Sequence, residues 1–309
     1  FITVFDRLDK LRNCINSLKA NAEIKEIPLL ISSDTTDNPV KKEKINDVRK
    51  YISSITGFKE VIPFFAKEPT HGGIINETWD YIFTHYDTVI FSEDDNIFAP
   101  DFLKFMLEGL NKYKNHPQVY SISGFSHSIF FDIPQRLYNE TYFSQRFNPW
   151  GFGSWIEKLK KRDNIKIYEV EQFLNTKQFK QKLDAVGIDR LPQLNQILRK
   201  NREIPYDYLT GLHMIKNDIY SVYPYLPKSF NTGNDGSGER SAKSHKFTDI
   251  DFSFLDQPND FRFFDEIEGH IDNSFHYRFY NTSFYRLKRL LSYLGIYDFA
   301  YKFKRLYRR

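Results

Sequence analysis

The chain has 309 residues, of which 40% are hydrophobic, 17% aromatic and 27% charged, with a formal net charge of +4. That is enough length and apolar content to bury a substantial core, which excludes a disordered chain. There is no run of about 18 apolar residues to make a membrane-spanning helix, and the single cysteine, Cys14, excludes an internal disulfide or a cysteine-rich zinc site.

In chain order, the pattern predicts a strand over 1–4 and an amphipathic helix over 8–19 that places Leu11, Cys14, Ile15 and Leu18 on one face. A buried strand over 28–32 ends at Ser33-Asp34, and a helix follows over 41–54. Then come a strand over 58–65, a helix over 74–85, a strand over 88–92, a helix over 100–113 and a strand over 118–123. Short strands alternating with longer helices predict βαβ units and an α/β fold with a mostly parallel central sheet flanked by helices. Ligands in such sheets bind beyond the carboxyl ends of the strands, so the residues just after each strand are the candidates for function.

The rest is less regular. Residues 137–200 carry aromatic clusters and two charged helical stretches, 229–246 is rich in Gly, Ser and Asn and reads as a mobile loop, and 247–283 is acidic and aromatic. No linker divides the chain. The expectation is one domain over 1–283, with a nucleotide-binding half at 1–125 and an acceptor half at 126–283, followed by a helical C-terminal extension over 284–309. Residues 285–309 hold eight Lys/Arg and one Asp, a local charge of +7 that leaves the remainder near −3. A slightly acidic body with a basic tail does not suit a nucleic-acid binder. The tail interleaves its cations with Leu, Tyr and Phe, the pattern of a segment lying on an anionic membrane surface. A cytoplasmic protein, peripheral at the inner face of the membrane, is therefore expected.

The sharpest feature is Thr88-Val89-Ile90-Phe91-Ser92-Glu93-Asp94-Asp95, an apolar strand running into three carboxylates. Like charges so placed are unfavourable unless a cation or a positive dipole sits among them. Oxygen ligands of this kind suit Mn²⁺ or Mg²⁺, which take one or two carboxylates and complete their shell with phosphate oxygens and water. The bland alternative is that Asp94 and Asp95 cap the following helix.

Phe91–Phe102 (FSEDDNIFAPDF) resembles the acidic-triplet segment of the GT-A-fold glycosyltransferases, in particular N-acetylglucosaminyltransferase I and bacterial family-2-like sugar transferases. Phe1–Leu18, Leu30–Asp34 (LISSD) and Asn231–Gly238 (NTGNDGSG) resemble further segments of that family in the same order, across about 240 residues. The resemblance implies a GT-A fold and a metal-dependent, inverting transfer of a sugar from a nucleotide-sugar, a UDP-sugar by preference, to a glycan or lipid-linked acceptor in surface polysaccharide synthesis. It implies that Asp95 ligates the metal, that Glu93 and Asp94 contact the donor ribose and sugar, and that Arg7 and the backbone at Phe5 hold the uridine end. Asp34 would accept a hydrogen bond from the uracil imide N–H, which cytosine does not offer.

His71, in His71-Gly72-Gly73, stands before a helix whose first N–H groups could approach a diphosphate. Trp150 and Gly151, in Asn148-Pro149-Trp150-Gly151-Phe152-Gly153-Ser154-Trp155, suit a wall for a sugar ring, or else an aromatic core turn. In the Gly-rich loop, Asn234, Asp235, Gly236, Arg240 and His245 would by resemblance belong to a lid over the donor that excludes water as a competing acceptor. Asp207 matches the position of the family's general base, with Tyr206 and Tyr208 beside it to limit its hydration. Two other classes compete. A sugar nucleotidyltransferase needs a Gly-rich loop after its first strand, where this chain has Phe5-Asp6-Arg7-Leu8-Asp9. An inactive carbohydrate-binding relative is disfavoured by the carboxylates at 34, 93, 94, 95 and 207.

Overall fold

The computed structural model describes residues 1–163, 165–199, 203–233 and 260–296. The chain divides into two compact units. The first comprises Phe1–Tyr142, Asn148–Lys161 and Val222–Asp265; the second comprises Phe143–Phe147, Arg162–Ser221 and Glu266–Arg309.

The predicted alternation forms the first unit. It runs β1 (Ile2–Val4), α1 (Leu8–Lys19), β2 (Pro28–Ser33), α2 (Pro39–Ser54), β3 (Glu60–Phe65), α3 (Gly73–His85), β4 (Thr88–Glu93), β5 (Asn96–Phe98), α4 (Phe102–Lys112) and β6 (Val119–Ser123). After β7 (Thr141–Ser144), β8 (Phe152–Trp155) and α5 (Ile156–Lys160), the chain makes α6 (Ile167–Leu174), α7 (Lys177–Ala185), α8 (Arg190–Arg199) and α9 (Tyr206–Asn217). Then follow β9 (Tyr220–Pro224), β10 (Ser229–Asn231), α10 (Ser274–Tyr280) and α11 (Ser283–Tyr293).

Eight strands form one sheet in the order β3-β2-β1-β4-β8-β6-β9-β7. β3, β2, β1 and β4 pair in parallel, while β8 enters antiparallel between β4 and β6. This is the mostly parallel α/β sheet flanked by helices that the periodicity predicts. Leu11, Cys14, Ile15 and Leu18 are the buried face of α1, as their spacing requires. Gly153 lies in β8, and a Cβ there would press on Leu110 and Met106, so glycine lets α4 lie close on the sheet. The residues that do not fit the alternation include β5 and β10, which pair antiparallel as a separate two-stranded ribbon.

The second unit has its own core, in which Val170, Phe179, Leu183, Leu191, Leu194, Tyr208, Leu212 and Ile215 pack together from α6, α7, α8 and α9. A buried bidentate pair joins Arg146 to Asp189, with both N–H···O distances 2.9 Å. No helix among the described residues is long and apolar enough to cross a membrane.

Candidate active site

The acidic triplet lies where parallel pairing brings the ends of β1 and β4 together. Thr3 is level with Glu93, and the Asp94 amide donates to the Thr3 carbonyl at 3.1 Å. Asp94 and Asp95 then form the turn between β4 and β5. They do not cap the helix, since α4 begins at Phe102 behind Asp101. Both are buried, with 2% and 6% exposure.

Their cation is Arg7, which follows β1 at the start of α1. Its Nε donates to Asp94 Oδ2 at 3.2 Å, a second nitrogen pairs with Asp94 Oδ1, and its Nη1 lies 2.8 Å from Asp95 Oδ2. One guanidinium thus serves two buried carboxylates. Burial pushes the Asp94 carboxyl up to about 6, with Arg7 opposing that shift and the neighbouring Asp95 adding to it. Burial works against the Arg7 charge as well, but the two aspartates outweigh it and raise its pKa.

The ribbon supplies the rest of the turn's surroundings. Antiparallel pairing sets Asn231 opposite Asn96. From there the Asn231 side-chain amide donates to Asp95 Oδ1 at 2.6 Å and to Asn96 Oδ1 at 3.0 Å. The Thr232 amide and hydroxyl both donate to the Asp95 carbonyl at 2.8 Å, and Lys10 Nζ donates to the Thr232 carbonyl at 2.8 Å. Gly233 comes next, its amide bonded to Asn231 Oδ1 at 3.0 Å. The first three residues of the Gly-rich segment are therefore docked on the acidic turn.

Asp95 is the group that could hold a hard divalent cation here. Each Asp95 oxygen has one partner among the described residues, and a carboxylate offers about four lone-pair positions. No group of three or more His, Cys, Asp or Glu is gathered for a metal among the described residues. Phosphate oxygens and water would complete the shell of Mn²⁺ or Mg²⁺ there.

A second corner forms at the end of β2. β1 and β2 pair with Val4 level with Ser33, which puts Phe5 and Asp34 at adjacent strand ends. Asp34 Oδ1 accepts the amides of Thr35 and Thr70 at 2.8 and 3.1 Å, and Oδ2 accepts the Thr70 hydroxyl and the Gly72 amide, both at 2.9 Å. Partial burial alone would raise its pKa, but the hydrogen bonds from Gly72, Thr70 and Thr35 prevail and lower it. His71 and Gly72 both take positive φ, 50° and 95°, so Asp34 holds a left-handed turn that carries His71 to this corner. Behind it, Arg49 Nη2 donates to the carbonyls of Ser33 and Ala66 at 2.8 and 2.9 Å, fastening the ends of β2 and β3.

Trp150 and Gly151 are tied to the same ribbon as the acidic turn. Ser229 Oγ, on β10, donates to the Trp150 carbonyl at 2.5 Å. Gly151 has φ +80°, and a Cβ there would press on Ser229 and Phe98. The Trp150 ring packs edge-on to Phe125 with centroids 4.8 Å apart and is partly exposed.

Asp207 belongs to the second unit, in the first turn of α9 behind Pro205. There it lines a cavity of about 330 Å³ with Gln193, Gln196, Ile197, Glu203, Pro205 and Tyr208. Tyr208 is buried, with its hydroxyl bonded to the Arg190 carbonyl, and Tyr206 is exposed. Asp218, close by in sequence, instead ends α9 in a left-handed conformation and accepts from Gln145 at 2.9 Å. Asn234, Asp235, Gly236, Arg240 and His245 lie outside the described residues, as do positions 297–309 of the tail.

No protein-family model and no curated protein matches the chain. Solved structures do. The chain is similar to Staphylococcus aureus TarS at 15% identity and a TM-score of 0.36, over 52% of this chain and 29% of that one. It is similar to S. aureus TarS 1–349 in complex with UDP at 13% identity and a TM-score of 0.34, over 49% and 45%. S. aureus TarS 1–349 matches at 11% identity and a TM-score of 0.37, over 70% and 69%. The first two matches thus span less than half the length of those chains.

Four residues of this site escape a reading of the sequence. Lys10 and Arg49 look like ordinary helix-surface cations, and nothing local marks their carbonyl partners. Asn231 and Gly233 stand in the Gly-rich segment, but their contact with Asp95 depends on the pairing of β5 with β10. The resemblance of Asn231–Gly238 to a family segment marks this stretch of the chain, but not its contact with Asp95.

Proposed function

We propose that this chain is a metal-dependent inverting glycosyltransferase, which moves a sugar from a UDP-sugar to a glycan or lipid-linked acceptor. The observation that carries this reading is the pair of adjacent buried carboxylates at the carboxyl end of central strand β4, sharing one arginine and contacting the start of a Gly-rich segment. Two buried carboxylates against one guanidinium leave an excess negative charge, which is a site for a cation rather than for a bare anion. The order of the family-like sequence segments supplies the reaction class.

Asp95 would hold Mn²⁺ or Mg²⁺, and the ion when bound supplies positive charge to the departing diphosphate. Glu93 and Asp94 would meet the donor ribose and sugar, while Phe5, Arg7, Asp34 and His71 would surround the nucleotide. Trp150 and Gly151 would form a wall of the sugar site. As the acceptor oxygen bonds to the anomeric carbon, the bond from that carbon to the diphosphate would break and the acceptor proton would pass to a general base, the role for which the sequence resemblance offers Asp207. Attack from the face opposite the diphosphate inverts the anomeric configuration.

A thermal-shift panel of nucleotide-sugars with and without Mn²⁺ tests the reading, because a ligand that binds only the folded state raises the midpoint by mass action. A UDP-sugar should stabilise the chain only with the metal present, and should be slowly hydrolysed. No shift with any nucleotide-sugar, with or without metal, would defeat it.

A further inference from the structure

Helix α11 presents an apolar face to the outside of the second unit. Eleven large apolar side chains are exposed among the described residues, and five of them fall within positions 284–296. Such a concentration is a patch rather than scatter, and patches of this kind mark interaction sites. Phe284, Leu287, Leu290 and Leu294 are each 53–60% exposed. Their spacing of three, three and four residues places them along one side of the helix.

The roll of the helix is fixed from its opposite side. Arg289 Nε and Tyr293 Oη both bond to Asp184 Oδ2 on α7, at 2.8 and 2.5 Å, and Ser292 is buried. Turning the leucines inward would break both bonds, so their exposure is a property of the docked helix.

Charge selects the occupant. The helix contains Arg286, Lys288 and Arg289 and no acidic residue. Arg289 is engaged by Asp184, while Arg286 and Lys288 lie on either flank of the apolar face at helical angular spacing. The sequence continues into five more Lys/Arg and a single Asp over 297–309. A second copy docking through the same face would bring like charges together with no carboxylate on the helix to answer them. An anionic lipid surface answers both features, with headgroup phosphates for the cations and acyl chains for the leucines.

The geometry points to α11 as a monotopic membrane-docking helix, with Phe284, Leu287, Leu290 and Leu294 entering the interface of an anionic bilayer and Arg286 and Lys288 at its phosphates. This holds whether or not the chain transfers sugars.

Flotation of the full chain with vesicles of phosphatidylcholine alone, or mixed with phosphatidylglycerol, tests it. The chain should float with the mixed vesicles and not with pure phosphatidylcholine. The double variant Leu287→Glu/Leu290→Glu should lower the partition coefficient about tenfold or more, and Arg286→Glu/Lys288→Glu should do likewise in low salt. Leu107→Glu, at an exposed leucine on α4, should leave it unchanged. Circular dichroism of each variant checks that the helices persist. Absence of flotation with anionic vesicles overturns the assignment, as does equal flotation of the Leu287→Glu/Leu290→Glu variant. So does a dimer in solution that this variant converts to monomer while the parent chain fails to float.

Discussion

Gly233 stands so close to the Asp95 carboxylate that a Cβ on Gly233 would overlap it. The contact joins the acidic turn after β4 to the first residues of the Gly-rich segment, two features far apart in sequence. Gly233→Ala should therefore displace Asp95 or the segment, with an overpacking cost of about 1–3 kcal/mol. Calorimetry should show a lowered midpoint, and titration with UDP and Mn²⁺ a weakened affinity. An unchanged affinity would separate Gly233 from donor binding.

Asp95→Ala should abolish metal-dependent UDP binding without unfolding the chain. Asp94 keeps its own contacts with Arg7, so the core around α1 retains one half of the ion pair. Isothermal titration of the variant with UDP, with and without Mn²⁺, is the measurement. Affinity equal to that of the parent chain removes Asp95 from the metal site.

The raised pKa of Asp94 has a signed consequence for stability. The folded state holds this proton up to about pH 6, whereas an ordinary Asp loses it near 3.8. Between those values the folded chain binds more protons than the unfolded one, so this group's contribution to stability falls as pH rises from about 4 to 6 and is flat above. Asp94→Asn should remove that slope. Urea unfolding at several pH values in this window, compared between parent and variant, reads the difference directly.

Asp34 is both a turn organiser and the proposed reader of the uracil imide. Its four accepted hydrogen bonds account for about four lone-pair positions, so an imide N–H would have to share or displace one of them. Asp34→Asn should lower stability by about 1 kcal/mol, because the amide keeps one acceptor oxygen and two of the four hydrogen bonds come from the exposed Thr70. If Asp34 reads the base, the variant should also narrow the preference for UDP over CDP. A lowered melting midpoint with the preference intact assigns Asp34 to the turn alone.

Asp207→Asn should keep donor and metal affinity while slowing transfer by roughly 10² or more, the scale of losing a general base. Initial rates with saturating donor test the first part, and the anomeric configuration of the product, read by proton NMR, tests the stereochemistry. Near-normal turnover or a retained configuration would reassign the base.

The parallel half of the sheet was legible in the sequence because its signals are local. Helical spacing of Leu11, Cys14, Ile15 and Leu18, and apolar runs at Pro28–Ser33 and Thr88–Glu93, need no partner to be recognised. β5, β8 and β10 were not legible. They are three or four residues long, and each is defined by a strand that lies far off in the chain.

The same division holds in the site. Three consecutive carboxylates after an apolar strand call for a cation or a positive dipole among them, and that is read from the sequence alone, because like charges repel wherever the chain goes. Which cation sits there in the folded chain was decided by tertiary structure. Arg7 reaches Asp94 across 87 positions because β1 and β4 pair in parallel, and Asn231 reaches Asp95 across 136 because β10 pairs with β5. Charge is written in single residues, but proximity between them is set by strand register, and register is a property of the assembled sheet.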